Sequence, residues 1–308
     1  METRSIGSLT VSVVGIGCNN FGSKVVGKLD QQRTNEVVAA ALDAGVTFFD
    51  TADAYGGGAS ETFLGTALGS RRDEIVLASK FGMRLADDRQ GAKPEYVKRA
   101  IEASLERLGT DRIDLYMLHK PDPETPIAET LGALGELKAA GKVREIGCSN
   151  FSAEQLEEAR SSGLPSFVAV QNELSLLNRA AEAEVLPYCA EHGIGFVPYY
   201  PLFNGLLTGK YKRGAEPPSN GRITSFADDR KEAIFSEENF DRIERLEAFA
   251  GERGHKLLEL AFAWLLAKAP VASVIAGSTS PEQIKANAAA ASWTLTEDEA
   301  AEVDALVA

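Results

Sequence analysis

The feature that most restricts how this chain can fold is a repeat. Short apolar runs alternate with helical stretches from one end to the other. Runs at 13–17, 47–50, 75–80, 114–119, 143–149, 167–172, 195–200 and 274–275 read as strands. A helix capped by Asp30 or Thr34 and closed by Gly45 separates the first two. Helices at 61–68, 94–108, 126–140, 153–161, 180–191 and 281–290 follow the others, except the seventh strand, which leads through a long connection to helices at 237–253 and 257–268. No low-complexity linker interrupts the series. Strands joined by helical crossovers pair in parallel, and eight of them close into a barrel. The chain is therefore read as one α/β domain over 1–308, a single (β/α)8 TIM barrel. An N-terminal hairpin turning at Gly7-Ser8 and additional helices, the last at 296–306, complete it.

Charge and cysteine content narrow the function. A formal net charge of −13 repels phosphate on average, which argues against nucleic acid or an anionic membrane as partner. The chain opens on polar Met1-Glu2-Thr3-Arg4 and contains no apolar run of about 18 residues, so neither export nor anchoring is expected. Cys18, Cys148 and Cys189 form no CxxC pair, as suits a reducing cytoplasm. No metal is expected: His192 and His255 fall on or beside outer helices, away from any cluster with ligand spacing.

The run Phe48-Phe49-Asp50 ends on a carboxylate, Tyr55 follows five positions later, and Gly56-Gly57-Gly58 turns the chain. Such a run reads as a buried strand whose last side chain emerges at the rim, where barrels build their chemistry. Lys80 and His119 end the next two strands, so barrel closure brings Asp50, Tyr55, Lys80 and His119 together. A phenol with a pKa of about 10 transfers protons poorly at neutral pH without a cationic neighbour. Lys80 would stabilise tyrosinate, Asp50 would hold Lys80, and His119 would orient a carbonyl oxygen. Singly each is ordinary: a loop cap, a rim aromatic, a solvated strand end, a structural histidine. Their conjunction carries the reading. Asp53 is read as a loop residue near the site. The connection 203–235, rich in glycine and basic residues, follows the seventh strand on the same face, and loops of this length are usually functional.

The chain resembles the aldo-keto reductase superfamily over essentially its whole length. The resemblance rests on Phe49-Asp50-Thr51-Ala52-Asp53-Ala54-Tyr55-Gly56 with Ser60-Glu61 and Leu64-Gly65, on Ala78-Ser79-Lys80, and on Asp114-Leu115-Tyr116-Met117-Leu118-His119. Gly141-Lys142-Val143-Arg144, Ile146-Gly147-Cys148-Ser149-Asn150-Phe151, Val170-Gln171-Asn172-Glu173, Leu206-Leu207-Thr208-Gly209-Lys210-Tyr211 and Gly277-Ser278-Thr279-Ser280-Pro281-Glu282-Gln283 add to it. It implies reduction of an aldehyde or ketone by hydride from NADPH, with Tyr55 as acid and Asp50, Lys80 and His119 in support. A cofactor-sensing regulatory subunit of the same fold, with little turnover, is the alternative. The cofactor is expected across the barrel mouth rather than on a dinucleotide fold, and Gly15-Ile16-Gly17 accordingly lacks a third glycine.

By the same resemblance Ser149, Asn150 and Gln171 hold the carboxamide and Tyr199 stacks on the nicotinamide ring. Leu202, Gly205, Lys210, Gly277, Ser278 and Thr279 serve the phosphates, with Gln283 and Asn287 on the adenine side. Gly277 and Gln283 stand where many relatives carry basic residues that grip a 2'-phosphate, so NADH is the other candidate; Arg222 is the compensating cation. Lys120 replaces a usual tryptophan and is expected in solvent. Tyr200 replaces a serine and Asn19 a large apolar residue. Asn19, Phe21, 83–88 and 120–123 are expected to line a pocket for a small-molecule carbonyl substrate, and the protein to be a monomer or weak oligomer.

Overall fold

A computed structural model describes residues 1–24, 27–219 and 221–307. The chain begins with an antiparallel hairpin, β1 (Thr3–Ile6) and β2 (Leu9–Ser12), turning at Gly7, whose φ of +54° is open to glycine at little cost. The next strands are β3 (Val14–Gly17), β4 (Phe48–Asp50), β5 (Val76–Phe81) and β6 (Ile113–Leu118). They continue with β7 (Val143–Ser149), β8 (Ala169–Gln171), β9 (Gly195–Phe196) and β10 (Val274–Gly277). All pairs are parallel, in the order β10-β3-β4-β5-β6-β7-β8-β9. The remaining seam closes where Phe196 N donates to Pro270 O at 2.7 Å and Ala272 N donates to Phe196 O at 2.9 Å. The expected (β/α)8 barrel is what forms.

The crossovers are α1 (Gln31–Asp43), α2 (Ala59–Leu68), α3 (Pro94–Leu108), α4 (Ile127–Ala139), α5 (Ala153–Ser161) and α6 (Val185–His192). They are followed by α7 (Asp228–Ile234), α8 (Glu237–Glu252), α9 (Leu257–Leu266), α10 (Pro281–Ala290) and α11 (Glu297–Leu306). Of the two cap candidates, Asp30 caps α1, its carboxylate accepting from Arg33 N at 2.8 Å.

Two expected elements are corrected, both by prolines. The helix expected over 180–191 is a 3-10 turn at Ala180–Glu182 followed by α6, because Pro187 has no N–H to continue a helix begun at 180. The strand expected over 195–200 ends at Phe196, since Pro198 cannot donate to the ladder; an isolated bridge between Glu173 and Tyr199 carries the direction on. The connection 203–235 is ordered by 3-10 turns at Phe203–Thr208 and Ile223–Ser225 and by α7.

Side-chain alternation decides what faces the barrel interior. In β4, Phe48 points in, Phe49 packs outward against the helices, and Asp50 returns to the interior; in β5, Ala78 and Lys80 share the inner face. Phe48, Val76, Leu115, Met117 and Ile275 fill the interior with Ile6, Leu9 and Val11 of the hairpin, which plugs the N-terminal end. Glu145 Oε1 accepts from Ser8 N at 3.0 Å, and Arg4 donates to Val271 O and Leu266 O at 2.6 and 2.9 Å, pinning that plug.

Candidate active site

At the opposite rim, one cleft of about 870 Å³ gathers the expected site residues, all except Lys80 and Ser278 lining it. Lys80 lies just behind, fully buried. Its ammonium donates to Asp50 Oδ2 at 2.7 Å, Thr51 O at 2.9 Å and Tyr55 Oη at 3.3 Å. Burial works against the charge on Lys80, but Asp50 and Tyr55 more than offset it and raise the pKa. Asp50 Oδ1 accepts from Gln171 Nε2 at 2.9 Å, so both carboxylate oxygens are held.

Tyr55 leaves β4 through the 3-10 turn Tyr55–Gly58, in which Gly56 and Gly57 take φ of +61° and +68°. Burial raises the phenol's pKa above 10, and the opposing effect of Lys80 is the smaller of the two. Lys80 acts in the expected direction, but the net shift is upward because burial outweighs it, and the phenol keeps its proton at neutral pH. The ring meets His119 edge-on at 5.7 Å between centroids. Burial, with Lys80 and Lys120 adding to it, pushes the His119 pKa down to about 3, so its imidazole is neutral. Nδ1 is buried without a partner among the described residues, which leaves Nε2 as the nitrogen open to the cleft.

Beside this set, a chain of hydrogen bonds fixes three amide and hydroxyl groups. Tyr199 Oη donates to Asn150 Oδ1 at 2.8 Å, Asn150 Nδ2 donates to His119 O at 2.9 Å and to Ser149 Oγ at 3.1 Å, and Ser149 Oγ donates to Gln171 O at 2.7 Å. Asn150 adopts φ +63°, a left-handed conformation that asparagine tolerates better than most residues.

Farther along the cleft, Lys28, Lys210 and Arg222 make no ion pair with a carboxylate among the described residues. Arg222 stacks on the Tyr200 ring at 4.9 Å and donates to its hydroxyl at 3.3 Å, while its Nε is buried without a partner. Burial lowers the pKa of Lys210. Asp50 is the sole carboxylate among the described lining residues, and it is committed to Lys80. A protein with a net charge of −13 thus gathers local positive charge at one place, which suits an anionic ligand. A Cβ on Gly277 would stand 3.2 Å from Asn20 Nδ2, so the bare backbone keeps this wall open. These residues fit a nicotinamide dinucleotide: amides and a tyrosine ring at one end, cations and a glycine-lined wall along the other.

Some placements differ from expectation. Ser278 is buried, its hydroxyl accepting from Asn287 Nδ2 at 3.2 Å, so its side chain does not reach the cleft. Gln283 Oε1 accepts from Thr279 N at 2.7 Å, replacing the reciprocal bond to Ser280 N of a full capping box. Phe21 is buried in the core instead of lining a pocket, Lys120 is exposed as expected, and of 83–88 and 120–123 only Met83 borders the cleft. Sequence reasoning missed Asn20 and Lys28, which sit in loops without a spacing signal, and gave no role to Thr208 within the Leu206–Tyr211 motif. Asp53 is buried rather than a simple loop residue.

A parallel barrel with a buried lysine–aspartate pair behind a protonated tyrosine and a dinucleotide-sized cleft defines the class: a barrel oxidoreductase. The sequence profile of the Aldo/keto reductase family matches residues 13–308. "Probable aldo-keto reductase 1" of Glycine max is 36% identical over 299 residues, covering 95% of this chain and 84% of that protein. The "NADH-specific methylglyoxal reductase" of Escherichia coli (strain K12) is 34% identical over 314 residues, covering 95% and 93%. The solved glycerol dehydrogenase AKR11B4 of Gluconobacter oxydans superposes with a TM-score of 0.88 at 30% identity, over 99% of this chain and 94% of that one. The chain belongs to the aldo/keto reductase family and is an NAD(P)H-dependent oxidoreductase. A cofactor-sensing subunit finds no support in these relatives, named as reductases and a dehydrogenase.

Proposed function

We propose that the protein reduces a small aldehyde or ketone to the alcohol, with Tyr55 as proton donor. The observation that carries this is the Tyr55 phenol 3.3 Å from the Lys80 ammonium, at a cleft that also holds cations with no carboxylate partner among the described residues. When bound, the nicotinamide supplies the hydride. His119, neutral and with Nε2 facing the cleft, hydrogen-bonds the carbonyl oxygen and orients it. Tyr55 gives its proton to that oxygen as negative charge develops there. The tyrosinate left behind is stabilised by Lys80, which Asp50 holds in place and keeps charged. Ser149, Asn150 and Gln171 would hold the carboxamide and Tyr199 would pack on the ring. Gly205, Lys210, Thr279 and Gly277 would hold the phosphates.

NADPH is the proposed donor. A pyrophosphate carries about two negative charges at neutral pH, and Lys28, Lys210 and Arg222 supply one cation more than it needs. Arg222 is the candidate partner of the 2'-phosphate, since neither Gly277 nor Gln283 bears charge. NADH use by the Escherichia coli relative makes the comparison direct. Purified protein mixed with NADPH and a panel of aldehydes and ketones should show loss of nicotinamide absorbance. Arg222→Ala should lower kcat/KM for NADPH at least about ten-fold more than for NADH, as removal of a charged partner predicts. Equal losses would remove Arg222 as the 2'-phosphate partner, a wild-type kcat/KM higher with NADH than with NADPH would transfer the preference to NADH, and no turnover across the panel would refute the reductase assignment. The protein is further proposed to work in the cytoplasm as a monomer or weak oligomer. Among the described residues no helix is long and apolar enough to cross a membrane.

A further inference from the structure

Beneath the Tyr55 turn lies a polar cluster that the reaction above does not use. Asp53 is 2% exposed, and its backbone N donates to Lys80 O at 3.1 Å, tying it to the strand that carries the lysine. Its carboxyl faces the Ala54 backbone N–H and the Tyr96 hydroxyl, with no cation of its own. Tyr96 Oη lies 3.5 Å from Oδ2, and Oδ1 has no hydrogen-bond partner among the described residues. Facing it from α2 is Glu61, fully buried; from α3 come Tyr96 and Arg107; from β6 comes the buried hydroxyl of Tyr116, also without a partner among the described residues. From β5, Ser79 donates to Glu61 Oε1, while the Lys80 ammonium is directed away to Asp50, Thr51 and Tyr55.

Two buried carboxylates therefore meet one available cation. Arg107 is committed to Glu61 Oε2, at 2.7 Å from Nε and 2.6 Å from Nη2, and Nη2 also donates to Ser104 Oγ at 3.2 Å. A second buried carboxylate beside that pair is costly to ionise. Burial first, and then the charge of Glu61, push the Asp53 pKa up to about 7. Arg107 does more than neutralise Glu61: a Cβ on Gly58, where φ is +100°, would stand 2.8 Å from Arg107 Cδ and 3.0 Å from Nε. The turn that presents Tyr55 thus rests directly on the arginine.

We propose that Asp53 is a positioning residue for Tyr55: as a neutral acid it leaves Arg107 bonded to Glu61 and packed under Gly58, and its ionisation withdraws that support. An ionised Asp53 must find a donor, and Arg107 is the nearby cation not already held at the reacting centre. Drawing it over unseats the Tyr55–Gly58 turn, and a shift of the acid by a fraction of an ångström slows proton transfer. Turnover is expected to fall as the solution becomes alkaline because the tyrosine is displaced, well before the phenol itself ionises.

The inference rests on Tyr55 as proton donor, so the test pairs a kinetic with a non-kinetic readout. Hydrogen exchange of the peptide covering 51–60 is measured in the NADPH-loaded protein at about pH 6 and about pH 9, corrected for the intrinsic pH dependence of exchange. Protection in wild type should fall about ten-fold between these conditions and stay constant in Asp53→Asn, the isostere of the neutral acid, or in Asp53→Ser should the first variant not fold. The kcat on a carbonyl from the panel should follow the same pattern, with KM for NADPH unchanged. If no carbonyl is reduced, the reductase reading fails while the exchange data still decide the role of Asp53. The same alkaline loss of protection in wild type and variant, or no loss in wild type, would overturn the proposal.

Discussion

At the scale of single residues, the site works by setting protonation states against one another. Lys80 is charged because Asp50 is 2.7 Å away, Tyr55 keeps its proton because burial outweighs Lys80, and His119 is neutral because burial and two lysines oppose its charge. Tyr55→Phe should lower kcat by about 10²- to 10⁴-fold, the usual contribution of general acid catalysis, with NADPH binding by fluorescence titration unchanged. Turnover equal to wild type would remove the acid role. The same shifts predict how stability varies with pH. The folded-state pKa of His119 is depressed to about 3, so the stability from its neutral form is present above its ordinary value of 6.5 and is lost as pH falls toward 3. Asp53 runs the other way: its folded-state pKa is raised from 3.8 to about 7, so stability is full below 3.8 and is lost as pH rises through 7. Urea unfolding of Asp53→Asn between about pH 4 and 7 should therefore lack a downward slope of up to about 1.4 kcal/mol per pH unit seen in wild type. Parallel slopes in the two proteins would show that Asp53 does not titrate there.

At the scale of elements, local signals were legible wherever the backbone obeys a local rule. Pro94 at the start of α3, the Ser152 and Thr296 capping boxes, and Gly109 in the left-handed position after Leu108 mark helix ends directly in the sequence. The errors came where a proline inside a periodic run overrode its pattern, at Pro187 and Pro198. One close approach has no local signature at all. A Cβ on Gly65 would stand 2.3 Å from Leu108 O, which shows that α2 and α3 touch backbone to backbone at that point. Gly65→Ala should destabilise the fold by about 1–3 kcal/mol through overpacking, despite the better helix propensity of alanine. A thermal midpoint at or above that of wild type would show that the helices separate without cost.

At the scale of the whole molecule, the hairpin and the cleft occupy opposite ends of one barrel. Ile6, Leu9 and Val11 close the N-terminal end over Phe48 and Met117, while the interior positions above them are polar and carry Asp50 and Lys80. The plug is thus the floor on which the buried charges stand. Leu9→Ala should lower stability by about 2–5 kcal/mol, read as a drop in the urea midpoint with an unchanged slope. NADPH affinity of the folded fraction should remain close to that of wild type, because the plug lies at the far end of the barrel and meets the cleft only through the apolar layer that includes Ile275. An unchanged midpoint would make the hairpin an ornament rather than part of the core.

The sequence by itself determined the strand–helix alternation, the closure into eight parallel strands, and the residues at the strand ends, because period-2 alternation and crossover geometry are properties of short segments. That was enough to place Asp50, Tyr55, Lys80 and His119 at one rim. What those groups are chemically was set by the tertiary structure: burial outweighing Lys80 at Tyr55, Gln171 bonded to Asp50, and Ser278 turned inward. It also showed that Arg107 serves Glu61 and leaves Asp53 without a cation. Protonation follows burial and the distance to charges many residues away, and neither quantity exists until the barrel has closed.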